Sequence, residues 1–207
     1  RLLPDKGTIV FSLDSNLRDL PWGMLFDGQK YFIEKYSIGL TLGSKLESPD
    51  RRSIDYSRTK PLLIGLSQSN SSEFPNLPYV TDEISSIQSL FSSSKVLLNN
   101  AFTTEKLLNN SQDFSIIHIA SHGEFSSDPE KTFILSWDQK LKVQEMTELV
   151  NNRKSPIDLL VLSGCETAAG DRRASLGIAG AAVQSGAASV LASLWIVNDK
   201  SQGLLMS

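Results

Sequence analysis

The sequence predicts an α/β protein: a mostly parallel sheet flanked by helices on both faces, preceded by a β-rich N-terminal segment. Three observations carry that expectation. Apolar runs such as Leu62-Leu63-Ile64-Gly65-Leu66 and Leu159-Leu160-Val161-Leu162 are continuous, as strands covered on both faces require. Between such runs lie helical patterns, clearest in Val80, Ile84, Ile87 and Phe91, which form one stripe. Strand and helix then alternate through residues 61–207, the order that builds a parallel sheet with helices on both sides.

The elements follow in order. Residues 1–60 form the N-terminal β-rich segment and a linker. Ile9-Val10-Phe11 and Tyr31-Phe32-Ile33 are short runs rich in strand formers, and Asp27-Gly28 before the second is a hairpin turn signal. Ser44 to Lys60 is polar and reads as a linker or long surface loop. Residues 61–207 form the α/β core. Its first strand, Leu62–Leu66, leads through a polar loop (Gln68 to Pro78) to the helix marked by Val80. Thr81 is a candidate cap there, and Asp82 and Glu83 suit the positive helix N-terminus. Lys95 to Leu98 is the second strand, and Thr103 or Thr104 caps a short helix that runs to about Asn110.

Phe114 to Ala120 is the third strand and ends at Ser121-His122-Gly123. Thr132 to Trp137 reads as an excursion strand and Val143 to Val150 as a helix. Ile157 to Leu162 is the fourth strand and ends at Ser163-Gly164-Cys165. Leu176, Ala179, Gly180 and Val183 mark a helix whose small residues allow close packing on a sheet, with Gly186 as its stop. Ser189 to Trp195 is the fifth strand. The chain stops at Ser207 inside the apolar pattern Leu204, Leu205, Met206, which reads as part of a longer protein whose C-terminal helix is cut short.

Composition narrows the function classes. With 207 residues and 40% hydrophobic residues, the chain can build a full core. Lys and Arg number 20 against 23 Asp and Glu, a net charge of −3, which argues against bulk nucleic-acid binding. One cysteine cannot form an intrachain disulfide. With only two histidines beside it, the favoured ligands are too few for a structural zinc site, and no cofactor is implied. No apolar stretch approaches the roughly 18 to 20 residues that span a bilayer, so no membrane contact is expected.

The scarce residues fall where an open α/β sheet places its sites, beyond the C-terminal strand ends. His122 follows the third strand and Cys165 the fourth. If those strands are neighbours, an imidazole and a thiol meet across the sheet edge, the layout of a base-assisted thiolate nucleophile. Gly123 has no side chain to shield its N–H, so the N–H groups of Gly123 and Cys165 can hold an oxyanion, and Gly164 permits a sharp turn before the cysteine. Each residue also has a plainer reading. A lone cysteine after an apolar strand reads as a small buried hydrophobe, and a histidine there as a turn residue. The coincidence of both at successive strand ends, each beside a glycine, favours the joint reading. His118 shares side-chain parity with His122 but reads as a hydrogen-bonded core histidine. Glu124 and Glu166 read as orienting groups or as solvated loop charges.

Phe114 to Phe125 (FSIIHIASHGEF), Asp158 to Ala168 (DLLVLSGCETA) and Leu176 to Asp199 (LGIAGAAVQSGAASVLASLWIVND) strongly resemble the CHAT domain. Leu20-Pro21-Trp22 through Tyr36 resembles that family's N-terminal segment. The resemblance implies a caspase-like, separase-like cysteine peptidase with a Cys–His dyad: His122 as catalytic histidine, Cys165 as nucleophile, and no third triad member. It further implies a cytoplasmic protein acting on protein or peptide substrates and regulated by TPR-type or other domains. The family often has Ala where this chain has Gly164, and Pro where it has Ile196. Asp199 aligns with an acidic residue of separases that resembles a pocket for arginine, which implies substrate binding with Arg or Lys before the cut; the plain alternative is a cap for the following helix. Arg172 and Arg173, in the loop after Cys165, are then self-processing candidates or an ordinary charge cluster.

Two other function classes stand beside the peptidase. One is a catalytically silent caspase-like interaction or regulatory module. The other, a nucleotide-binding domain, is disfavoured because neither a Walker A loop nor a Gly-x-Gly-x-x-Gly turn is present.

Overall fold

The computed structural model describes residues 6–13, 17, 20–41, 59–125, 128, 130–151, 153, 157–164, 166–167, 187–193 and 197–206. The chain divides into two compact units, residues 1–51 and 52–207. Among the described residues no helix is long and apolar enough to cross a membrane.

In the first unit, β1 (Gly7–Ser12) and β2 (Tyr36–Thr41) pair in parallel, with Gly7 opposite Tyr36 and Ser12 opposite Thr41. Parallel pairing needs a crossover rather than a tight turn, and residues 13–35 supply it. The expected turn at Asp27-Gly28 does form: Asp27 Oδ1 accepts the N–H groups of Gln29 and Lys30 at 3.0 and 2.9 Å. It closes only a single antiparallel bridge, Phe26 to Tyr31. The expected strand at Tyr31-Phe32-Ile33 is instead the start of α1 (Phe32–Lys35). Glu34 explains the difference, because its Oε2 accepts the Tyr31 N–H at 2.6 Å and so caps a helical turn. Aromatic rings fill the unit: Phe11 stacks on Trp22 at 4.8 Å, and Phe32 lies 4.9 Å from Tyr36.

The second unit is built on a five-stranded parallel sheet. Its strands are β3 (Pro61–Gly65), β4 (Lys95–Leu98), β5 (Ile116–Ala120), β9 (Leu159–Ser163) and β11 (Val190–Ala192), in the spatial order β11-β9-β5-β3-β4. Alternate residues of a strand face opposite sides. On one side Leu62, Ile64, Ile117, Ile119, Leu160 and Leu162 pack with Leu107 of α3 (Thr104–Asn110) and with Met146 and Leu149 of α4 (Val143–Asn151). On the other, Leu63 and Ala120 pack with Val80 and Ile84 of α2 (Tyr79–Ser89). Helices therefore cover both faces, and each fully buried Leu or Ile contributes about 1.5–3 kcal/mol.

Gly65 sets how closely α2 approaches the sheet. A β-carbon at Gly65 would stand 2.7 Å from both Val80 Cγ1 and Leu98 Cδ2. Thr103 caps α3 through its side chain, which accepts the Lys106 N–H at 3.3 Å. The helix α2 begins at Tyr79, ahead of the expected cap at Thr81.

A second, smaller sheet takes the order β10-β6-β7-β8. Its strands are β6 (Gly123–Phe125), β7 (Phe133–Leu135), β8 (Lys140–Lys142) and β10 (Glu166–Thr167). The expected excursion strand is β7. The last described helix is α5 (Asp199–Met206). The linker at 44–58 and the helix expected around 176–183 lie outside the described residues.

Candidate active site

The two strand ends singled out from the sequence are neighbours. Ala120, the last residue of β5, is in register with Ser163, the last of β9. One residue further, Ser121 N–H donates to Ser163 O at 3.1 Å. The chains then leave the main sheet together and pair again, in parallel, as β6 and β10, with Glu124 opposite Glu166. Three residues, Ser121 to Gly123, separate the two pairings on one segment and two, Gly164 and Cys165, on the other, so the register slips by one residue between them. Cys165 itself lies outside the described residues, as do Arg172 and Arg173.

His122 is held at backbone and ring. Its carbonyl accepts Leu135 N–H at 2.8 Å, and the preceding Ser121 Oγ–H donates to Leu135 O at 2.6 Å. The residue is only 5% exposed. The ring lies 5.4 Å from that of Phe74, which meets Phe133 edge-on at 5.9 Å. Nε2 is 2.6 Å from the carbonyl oxygen of Pro75. A carbonyl only accepts, so Nε2 carries a proton and donates it. In the neutral ring the lone pair then resides on Nδ1, the nitrogen free to act as a base.

Pro75 and Phe74 were not legible as site residues. Nothing in a proline's type signals that its carbonyl will orient an imidazole. The polar loop after the first strand was visible, and its place beyond a strand end is the one available signal.

The other candidates fall as follows. Gly123 is buried at the start of β6, in register with Ile134. Gly164 has φ of +83°, the left-handed region, and a β-carbon there would stand 3.1 Å from Ser121 O. The hydroxyl of Ser163 is buried and has no hydrogen-bond partner among the described residues. His118 sits within β5, 4% exposed, with Nε2 2.6 Å from Oε1 of Glu83 on α2, itself 2% exposed. The two histidines therefore engage the same stretch of chain at different points, His118 on α2 and His122 on the loop before it. Glu124 and Glu166 are ladder partners on β6 and β10.

Asp199 opens α5, and its Oδ2 accepts the Tyr79 N–H at 3.1 Å, the first residue of α2. The cap of α5 is Asn198, whose Oδ1 accepts the Ser201 N–H at 3.3 Å. Asp199 thus caps a helix, but the one that begins 120 residues earlier.

A parallel sheet with helices on both faces, whose neighbouring strands β5 and β9 lead on to the parallel pair β6 and β10, defines an α/β protein of caspase-like architecture. The CHAT domain family model matches residues 2–207, and the chain belongs to that family, which is caspase-like and separase-like. No curated protein matches the chain.

Proposed function

We propose that this chain is a cysteine endopeptidase domain that cleaves protein substrates through Cys165 and His122. The observation that supports the reading is that the segments bearing the two residues are paired on both sides, Ala120 with Ser163 before them and, after a one-residue slip, Glu124 with Glu166 beyond them. The Pro75 bond supports it, because it leaves Nδ1 of His122 unprotonated.

In this mechanism Nδ1 of His122 takes the Cys165 thiol proton. The thiolate attacks the peptide carbonyl, and the N–H groups of Gly123 and Cys165 receive the oxyanion. The imidazolium gives its proton to the leaving amine as the C–N bond breaks. Water, deprotonated by His122, then releases the acyl group and restores the thiol. Asp199 is the candidate acid for a basic side chain before the cut, and Arg172 or Arg173 the candidate self-processing site. Other domains or partners regulate the activity.

Labelling with a peptidyl electrophile tests the dyad in wild type, His122→Ala and Cys165→Ala. Wild type labels, Cys165→Ala does not, and His122→Ala labels much more slowly; equal labelling of wild type and His122→Ala overturns the dyad. A fluorogenic peptide panel tests the pocket. Asp199→Asn keeps an acceptor for Tyr79 N–H and loses the charge, so it abolishes the preference for Arg or Lys without loss of fold. Cleavage after Leu or Asp equal to that after Arg in wild type counts against the pocket. Mass spectrometry of aged protein tests self-processing, which requires a cut near Arg173 that Cys165→Ala lacks.

A further inference from the structure

We propose that Asn99 is a positioning residue for His122: its side-chain carbonyl fixes the base of the loop that presents the Pro75 carbonyl to the imidazole. The inference rests on the reading of His122 as the general base.

Asn99 follows β4 with φ of 50°, and among the described residues it is the one non-glycine residue at positive φ. Asparagine tolerates that region better than most residues. In this conformation its Oδ1 accepts three hydrogen bonds: from Ser67 N–H at 2.9 Å, Ser67 Oγ–H at 3.1 Å and Gln68 N–H at 3.0 Å. Two of the donors are backbone amides, so the oxygen rather than the amide nitrogen must face them.

Ser67 passes the constraint on. Its backbone carbonyl accepts the Leu77 N–H at 2.9 Å, which closes residues 67–77 into a loop. Asn76 Oδ1 accepts the Ser69 N–H at 3.1 Å across the same loop. Pro75 stands two residues before Leu77, and its carbonyl accepts His122 Nε2–H at 2.6 Å. The strands that precede Asn99, Ser67 and His122 are β4, β3 and β5, consecutive in the sheet. The bonds thus run across the C-terminal sheet edge from Asn99 to Ser67 and Leu77, and so to Pro75 and His122. Leu66 N–H donates to Ala120 O at 2.9 Å and ties β3 to β5 at the same level.

Gln68, Pro75 and Asn76 are exposed, so hydrogen bonds rather than burial set much of the loop's shape. Without Oδ1, the buried Ser67 N–H loses its acceptor and the loop base shifts. The Pro75 carbonyl then moves off Nε2. The ring is free to populate the Nδ1–H tautomer, in which the nitrogen that must take the thiol proton already carries one.

The test compares the whole chain as wild type, Asn99→Gly and Asn99→Asp by 15N NMR of the histidine rings and by labelling of Cys165. Glycine takes φ of 50° without strain and lacks the acceptor, so it separates the hydrogen bonds from the backbone conformation. Aspartate keeps the acceptor. Wild type and Asn99→Asp show His122 protonated at Nε2, with the Nε2–H protected from exchange. Asn99→Gly shows mixed tautomers and a lost Nε2–H signal at His122, while His118 is unchanged. Labelling slows on the order of tenfold or more in Asn99→Gly and not in Asn99→Asp. A wild-type His122 spectrum in Asn99→Gly, or an equal loss in Asn99→Asp, overturns the proposal. If wild type does not label at all, the peptidase reading fails while the ring spectra still decide the role of Asn99.

Discussion

Replacing Gly164 with alanine perturbs the strand end from which Cys165 follows. The backbone there has φ of +83°, and the new β-carbon falls 3.1 Å from Ser121 O. That oxygen cannot easily retreat. The same residue donates its N–H to Ser163 O at 3.1 Å and its hydroxyl to Leu135 O at 2.6 Å. A left-handed conformation costs an L-residue about 1–2 kcal/mol, and forcing an extra carbon into a packed site costs about 1–3 kcal/mol. Reduced freedom of the unfolded chain offsets about 0.4–1 kcal/mol. The net expectation is a loss of roughly 2 kcal/mol, which in a domain of this size lowers Tm by about 4–8 °C. Thermal unfolding followed by far-UV circular dichroism measures it. Gly203→Ala is the control, because it lies in α5 with its nearest neighbour, Tyr79 Cβ, at an ordinary 3.4 Å. Helix propensity makes that change neutral or stabilising by up to about 1 kcal/mol. A Gly164→Ala protein that melts at or above the wild-type temperature refutes the reasoning.

Gly65→Ala pushes α2 off the sheet, since its β-carbon meets Val80 and Leu98 at 2.7 Å, and urea unfolding should show a loss of about 1–3 kcal/mol. Glu83→Leu strands His118 in the core and costs about 3–5 kcal/mol, whereas Glu83→Leu with His118→Leu restores most of it; no recovery in the double variant contradicts the pairing. The Asp27 carboxyl is held well below the usual carboxylate range, first by the Lys35 side chain and then by the Lys30 and Gln29 amides. Its folded pKa is depressed, so its contribution is present above the unfolded value near 3.9 and is lost only as pH falls through the lower folded value. The Gln29 and Lys30 amide shifts should accordingly titrate at lower pH than ordinary carboxylates, and a midpoint near 4 contradicts the Lys35 bond.

Patterns with several repeats were legible, and contacts made by single groups were not. The run from Leu62 and the stripe of Val80, Ile84 and Ile87 gave β3 and α2, because each pattern extends over several residues. The strands β6, β8 and β10 are two or three residues long and offer no period to read. At Tyr31-Phe32-Ile33 the β-forming side chains were outweighed by one carboxylate, Glu34, which captures the Tyr31 N–H. The start of α2 was misplaced for a similar reason: the group that meets its first N–H is Asp199, 120 residues away.

The same contrast governs the site. Its candidate residues, Cys165 and His122, stood out because thiols and imidazoles are scarce in this chain and follow two strands that are neighbours in the sheet. The groups that hold the His122 ring have no such mark. Every residue carries a carbonyl, and only the fold decides that the one at Pro75 meets His122. An asparagine after a strand reads as a turn residue, and only its three bonds to Ser67 and Gln68 connect it to that carbonyl. Both histidines engage the stretch between Ser67 and the end of α2, one through Pro75 and the other through Glu83. The loop from Ser67 to Tyr79 is held at its two ends by single side-chain acceptors, Asn99 at the loop base and Asp199 at the helix start. The proposed alignment of the imidazole therefore depends on residues that take no part in the proposed proton transfer.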